Sequence, residues 1–164
     1  MRHVISAAPN LEVSPFAASL AGARAVVGDP TRAACARYGY QTLYEVPIEL
    51  QKRLRRELIR AHAETLRVNP DAVCDHSVFA WLADWMRWIW SHTHAEEWES
   101  VLIEARPAVD RSETIHHVIA GPRAHYDGYR WLDSRNAAQM ERLMRGLYRE
   151  FGCESRVREI TLPG

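Results

Sequence analysis

The stretch from Tyr40 to Val73 constrains the fold more than any other part of the chain. Apolar and polar residues alternate over residues 40–46, which predicts a strand. Pro47 fits the first turn of a helix, where its missing N–H costs nothing. Pro70 ends this helix because it restricts the backbone of the residue before it. Since Val73 then enters a second strand, the stretch predicts a β-α-β unit.

The predicted helix carries apolar residues at the three-to-four spacing of one helical face. These residues are Leu50, Leu54, Leu58, Ala61 and Leu66. Basic residues occupy the other faces, namely Lys52, Arg53, Arg55, Arg56 and Arg60. Acidic residues at four-residue spacing pair with part of this charge, so the pattern indicates a solvated face rather than a phosphate-binding one.

Two short helices are predicted before this unit. A strand is expected at residues 3–6, and Ser14-Pro15 is a helix start. Asp29-Pro30 repeats the start signal after Gly28, which predicts an N-terminal helical hairpin with a tight glycine turn. The segment resembles a helix-turn-helix, as in small phage terminase subunits. Residues 15–39 therefore offer an alternative function in DNA binding, beside a hairpin that covers the sheet.

A tryptophan-rich segment, residues 80–107, reads as a helical insertion that is apolar on most faces. Such a helix is buried in a core or lies at an oligomer contact, because aromatic residues are enriched in both. Residues 93–96 fit a capping box. They predict a helix that ends at Pro107.

The last third predicts strand, strand, helix, strand, with strands at residues 114–119, 129–133 and 156–162. Ser134 caps the helix and Gly152 ends it. The Gly-Tyr pair at 39–40 recurs at 128–129, and several Leu and Arg positions of the two helices then coincide. This internal repeat predicts a second β-α-β unit.

We therefore expect an α+β fold: two β-α-β units form one sheet with helices on one face. A ferredoxin-like strand order is the alternative arrangement. The chain of 164 residues is expected to be a single domain, 1–164. Its parts are the N-terminal helical extension 1–39, the first unit 40–79, the insertion 80–107 and the second unit 114–162.

The formal net charge is zero, so charge gives no whole-molecule argument for nucleic acid or for a membrane surface. Three distant cysteines make a disulfide framework improbable and favour a reducing, cytoplasmic location. Neither a signal peptide nor a membrane-spanning apolar run is visible.

The histidines and cysteines show no recognised metal spacing. His92 and His94 diverge at a helix start, and the Cys74-Asp75-His76 run lacks a second cysteine pair. The pair His116-His117 points to opposite faces of a strand. We therefore expect no metal and no cofactor. His117, Arg123 and Tyr129 instead form a cluster that suits a small anion, with a solvated polar hairpin as the alternative.

The segments ELQKRLRRELIRAHAETLRVNPDAV and SRNAAQMERLMRGLYREFGCESRVREITL resemble the two β-α-β units of the tautomerase superfamily. Within it the chain is most similar to the cis-3-chloroacrylic acid dehalogenase subgroup, which fuses two units in one chain. The N-terminal proline that supplies acid/base chemistry in that family is missing, since this chain begins Met1-Arg2.

The resemblance implies a small-carboxylate binding protein or an isomerase- or dehalogenase-like enzyme without the proline. It also implies that His62, Arg130 and Arg135 hold or process the carboxylate. Because members of the family assemble as trimers, it implies a homo-oligomer as well.

Overall fold

The computed structural model describes residues 1–8, 11–119 and 134–161, with the side chains of the last stretch described from residue 137. The strands are β1 (His3–Ser6), β2 (Val26–Val27), β3 (Val73–Cys74), β4 (Thr114–Ile119) and β5 (Val157–Thr161). The helices are α1 (Ser14–Ala21), α2 (Thr31–Ala36), α3 (Ile48–Val68), α4 (Val78–Trp88), α5 (Ala95–Arg111) and α6 (Ser134–Glu150). The predicted combination of helices with a single sheet is confirmed.

The strands form one sheet in the order β2-β3-β1-β4-β5. Every neighbouring pair is parallel, and β1 lies at the centre between β3 and β4. Val4 and Ile5 of β1 have no solvent exposure. This matches the rule that parallel sheets are covered on both faces, because each crossover places helix on a face.

Two apolar cores lie on opposite faces of this sheet. Val4, Cys74 and Ile115 face the larger core, which α3, α4, α5 and α6 complete. The alternating strand residues Ile5, Val73 and Val118 face a smaller core that α1 covers. Both α3 and α6 therefore pack on the same face, and α1 packs on the other. The expectation of helices on one face only is wrong, because a parallel sheet is covered on both faces.

The strand predicted at residues 40–46 is wrong. Leu43–Glu45 instead form a 3₁₀ turn that leads directly into α3. The carboxylate of Glu45 accepts hydrogen bonds from the backbone N–H groups of Gln41 and Thr42, at 2.9 and 3.3 Å. These local bonds satisfy backbone groups that a strand would have paired with a neighbour.

The N-terminal hairpin with a tight turn is also wrong, although both helices exist. Strand β2 separates α1 from α2 and pairs with β3 inside the sheet. The expected strand at residues 3–6 and the second-unit elements β4, α6 and β5 are confirmed. The predicted strand at 129–133 lies outside the described residues.

The tryptophan-rich segment forms α4 and most of α5, and these helices connect β3 to β4. Trp81 and Trp85 are buried, whereas Trp88 and Trp90 are 37% and 48% exposed. The predicted end at Pro107 is wrong, since α5 continues to Arg111 with Pro107 inside it. Pro107 itself is exposed while Ala108 and Val109 are buried, so the last turn gains core contacts.

The capping box predicted at residues 93–96 does not form either. His94 occupies the N-cap position of α5, and its side chain makes no capping hydrogen bond. The hydroxyl of Thr93 instead accepts a hydrogen bond from Trp85 Nε1 at 2.9 Å. It donates to the carbonyl of Ile89 at 2.7 Å. The Thr93 hydroxyl therefore bonds to the tryptophan-rich segment and does not cap α5.

The basic residues of α3 do not form one solvated face, because two of them are buried. Lys52 donates to Glu97 of α5 at 2.8 Å. Arg55 is fully buried and forms an ion pair with Asp84 of α4. Tyr44 also donates to Asp84, at 3.3 Å. These ion pairs join α3 to the two following helices.

We predict that Asp84→Leu lowers the free energy of unfolding by about 3–5 kcal/mol, because it leaves the buried Arg55 guanidinium unpaired. The double variant Arg55→Met/Asp84→Leu should recover most of this loss, measured by urea denaturation. Glu64→Gln, which breaks an exposed i,i+3 pair with Arg67, is the control and should leave stability nearly unchanged. If the double variant were no more stable than Asp84→Leu, the unpaired charge would not be the cause.

Strand β4 buries two adjacent histidines on opposite faces of the sheet. His116 Nε2 lies 2.9 Å from His3 Nδ1 on β1, and the two rings stack. His117 Nδ1 lies 2.7 Å from the hydroxyl of Tyr148 in α6. Burial, together with the charges of His3 and Arg158, lowers the pKa of His116 from 6.5 to about 4. Burial and Arg145 lower the pKa of His117 to about 4, against the opposing charge of Glu159.

Both histidines should therefore destabilise the fold in acid. Between pH 6.5 and 4 the unfolded chain binds protons that the folded chain does not, so stability falls as the pH falls. We expect a slope approaching about 1.4 kcal/mol per pH unit for each histidine. His116→Gln should reduce the pH dependence of the free energy of unfolding, measured by denaturation with a metal chelator in the buffer. The exposed His92→Gln should leave this pH dependence unchanged. An unchanged slope in His116→Gln would contradict this assignment.

Candidate functional site at the carboxyl edge of the sheet

A cavity of about 430 Å³ lies where β1, β2 and β3 end. Ala7 and Ala8 follow β1, Gly28 and Asp29 follow β2, and Asp75 and His76 follow β3; all six line the cavity. In open parallel sheets, ligands bind in the crevice outside the carboxyl ends of the strands, where the chain direction reverses across the sheet. The central strand β1 marks such a reversal here, because it connects to β2 through α1 on one face, whereas β3 connects to β4 through helices on the other face.

The described lining of the cavity carries more negative than positive charge. Glu12, Asp29, Asp75 and Asp84 supply four carboxylates, and Arg32 supplies a guanidinium. Glu12 and Arg32 are exposed, whereas Asp84 is buried against Arg55. The mouth of the cavity therefore holds charges of both signs. Inside it, Arg55 neutralises Asp84, so Asp29 and Asp75 supply the acidic character of the lining.

Local hydrogen bonds fix two of these carboxylates in place. Asp29 accepts from the backbone N–H of Thr31 at 2.8 Å, which holds the start of α2. Glu12 accepts from the backbone N–H of Ser14 at 2.9 Å, at the start of α1. Acidic side chains in these positions compensate unpaired N–H groups at helix starts. The same bonds orient both carboxylates at the cavity.

One wall of the cavity is aromatic. Trp81 of α4 is 5% exposed, and its Nε1 donates to the hydroxyl of Thr31 at 3.1 Å. The hydroxyl of Thr31 also donates to Asp29. This chain of bonds joins the wall to the acidic side of the cavity, so a ligand would contact apolar surface and carboxylates together.

His62 of α3 and His76, which itself lines the cavity, pack against Trp81. The centroid distances are 4.6 Å between the two imidazoles, 5.5 Å from His62 to Trp81 and 5.1 Å from His76 to Trp81. Cys74, the last residue of β3, completes a buried group with the two histidines. Burial, followed by the neighbouring His76, lowers the pKa of His62 well below its ordinary value, so its ring is neutral.

The predicted site residues lie in different places. His62 is buried in this aromatic group and has no described hydrogen bond. His117 belongs to a separate buried network with Tyr148 and Ser6. Arg123, Tyr129 and Arg130 lie outside the described residues. Arg135 is in the first turn of α6, and its side chain is not described. The carboxylate site proposed for these residues stays a prediction.

The cavity could not be predicted from the sequence, because its lining comes from five separate segments of the chain. One local signal was available: Gly28-Asp29 and Asp75-His76 each follow a short apolar run directly. Carboxylates that follow strands in this way indicate a shared edge once the strands are known to be parallel.

No family model, curated protein or solved structure matches the chain. The function must therefore be argued from the site. Among the residues that the structure describes, no helix combines the length and apolar character that a membrane span needs. The resemblance to the tautomerase superfamily stays a prediction, as does the trimer that it implies.

Proposed function

We propose that the chain is a small-molecule-binding protein whose ligand occupies the cavity at the carboxyl ends of β1, β2 and β3. The observation that carries this proposal is the cavity itself. Its volume of about 430 Å³ falls within the range of small-ligand sites. Its position is the one that parallel sheets use for ligands.

The ligand class follows from the charges of the lining. Arg55 neutralises Asp84, and Glu12 and Arg32 lie at the exposed mouth. The inner carboxylates Asp29 and Asp75 therefore set the ligand class, and they favour a ligand that donates hydrogen bonds. An amine or several hydroxyl groups would donate to Asp29 and Asp75, while an apolar part would contact Trp81. A small carboxylate would meet repulsion in the interior of this cavity. The small-carboxylate function therefore belongs to the separate arginine site predicted from sequence.

The alternative of DNA binding through residues 15–39 loses the helical hairpin on which it rests, because β2 separates α1 from α2 and pairs with β3. The basic residues of α3 offer it no support either. Arg53 pairs with Glu57 at 3.0 Å, and Arg56 pairs with Glu104. Arg55 and Lys52 are buried in ion pairs with other helices. Charges that are neutralised in this way release few counterions from a nucleic acid, which weakens the electrostatic attraction.

We predict that small amines and polyols raise the melting temperature and change the tryptophan fluorescence, and that carboxylates of the same carbon frame do so less. Asp29→Asn should weaken binding of the best amine about tenfold, as loss of one charge-assisted hydrogen bond implies. The asparagine keeps an acceptor for the Thr31 N–H, so the fold should persist. Equal or tighter binding of the carboxylates would contradict the ligand class.

A second variant tests the position of the ligand. Gly28 and Asp75 follow the paired strands β2 and β3, and a Cβ added at Gly28 would lie 3.8 Å from Oδ2 of Asp75, an ordinary contact distance. Gly28→Leu should therefore crowd the lining beside Asp75 and abolish the binding detected by fluorescence. Gly146→Leu, at an open position in α6, is the matched control and should bind as the wild type does. Binding that survives in Gly28→Leu would place the ligand elsewhere.

A further inference from the structure

Metal-ligating atoms come together beside the cavity, on His76 of its lining and on His62 and Cys74 outside the lining. Cys74 ends β3, His76 follows two residues later, and His62 reaches them from α3. One donor atom from each lies within 4.8 Å of the others. Ligands around a tetrahedral zinc ion lie at about 2.0–2.3 Å from the metal. Small side-chain rotations would bring the three atoms onto one ion.

His62 supplies an independent reason to expect a ligand. The residue is 1% exposed, and both its ring nitrogens are buried without a hydrogen-bond partner. An unsatisfied buried polar group costs about 1–3 kcal/mol, so most such groups in proteins are paired. Because the ring is neutral, one nitrogen has a lone pair that a metal ion would accept.

His76 is held in an orientation that suits metal binding. Its Nδ1 lies 3.2 Å from Oδ1 of Asp75. A hydrogen bond from Nδ1 to a carboxylate fixes the tautomer and leaves the lone pair on Nε2. Metal-binding histidines commonly have such a carboxylate partner, which also raises the basicity of the ligating nitrogen. Asp75 therefore acts as a positioning residue.

We propose that His62, Cys74 and His76 bind a transition-metal ion of the zinc class. Two imidazoles and a thiolate suit zinc and its neighbours in the first transition row, whereas magnesium and calcium prefer oxygen ligands. Three protein ligands leave one coordination position for water or another ligand. Since His76 also lines the cavity, this metal would lie at the inner wall of the proposed ligand site.

Binding requires one proton to leave the site. Burial raises the pKa of Cys74 to about 12, so without metal the residue is a thiol. The metal ion takes the place of that proton on Sγ, and the proton passes to solvent. The two imidazoles bind as neutral ligands and release none. The site therefore changes by one metal ion gained and one proton lost.

Aromatic packing is the competing explanation of the same group. The contacts among His62, His76 and Trp81 would stabilise a metal-free core. That explanation leaves the two nitrogens of His62 unpaired, and it assigns no role to the Cys74 thiol. The two explanations differ in whether zinc binds the folded chain, and this does not depend on the ligand of the cavity.

The test uses the full chain, stripped with a chelator, incubated with Zn²⁺ and desalted. Metal analysis should find about one zinc ion per chain, and zinc should raise the melting temperature, because a ligand that binds only the folded state stabilises it. Cobalt in place of zinc should give a thiolate-to-metal absorption band in the near ultraviolet. Desalted wild-type protein without bound zinc, or a cobalt complex without this band, would overturn the proposal.

Variants then assign the ligands. His62→Leu fills a similar volume without a donor atom and should lose zinc binding, the cobalt band and the thermal shift. Cys153→Ser removes another buried thiol, which lies beyond α6, and should retain all three. Zinc bound by His62→Leu as tightly as by the wild type would overturn the assignment. If this variant does not fold, the cobalt band of the wild type decides whether a thiolate binds the metal.

Discussion

The parallel pairing of all five strands is the constraint on which the rest of this structure depends. Each strand must return across the sheet through a helical connection, so all carboxyl ends lie along one edge. The residues that follow β1, β2 and β3 therefore meet, although they are far apart in sequence. The cavity and the cysteine-histidine group both result from this convergence. His76 belongs to both, since it lines the cavity and packs against Trp81 together with His62.

Helix α3 connects this edge to the core. Arg55 is buried against Asp84 of α4, which also lines the cavity, and His62 lies two turns further along the same face. A buried ion pair adds little net stability, but its geometry fixes how the two helices pack. The packing of α3 on α4 positions His62 against His76 and Trp81. Arg55, Asp84 and His62 thus place part of the buried polar side chains beside the proposed site.

Sequence reasoning predicted most helices and strands, because long amphipathic periods and Gly or Pro boundaries are local signals. The prediction was wrong at residues 40–46, because their apolar and polar residues alternate as in a strand. The Glu45 side chain instead stabilises a 3₁₀ turn there. On α3, the apolar stripe passes through buried His62 rather than exposed Ala61, as the four-residue steps Leu58, His62 and Leu66 show. The Cys74-Asp75-His76 run could not be recognised as part of a proposed metal site. The third proposed ligand, His62, comes from another element of the fold.

The proposed ligand lies at the carboxyl edge of β1, β2 and β3. Amide hydrogen exchange, measured with and without the amine that binds best, tests this location most directly. We predict slower exchange at residues 7–8, 11–14, 28–32 and 74–81, and unchanged exchange at the opposite edge, residues 69–72 and 111–114. Protection confined to that opposite edge, or to the surface of α5, would contradict the proposed location.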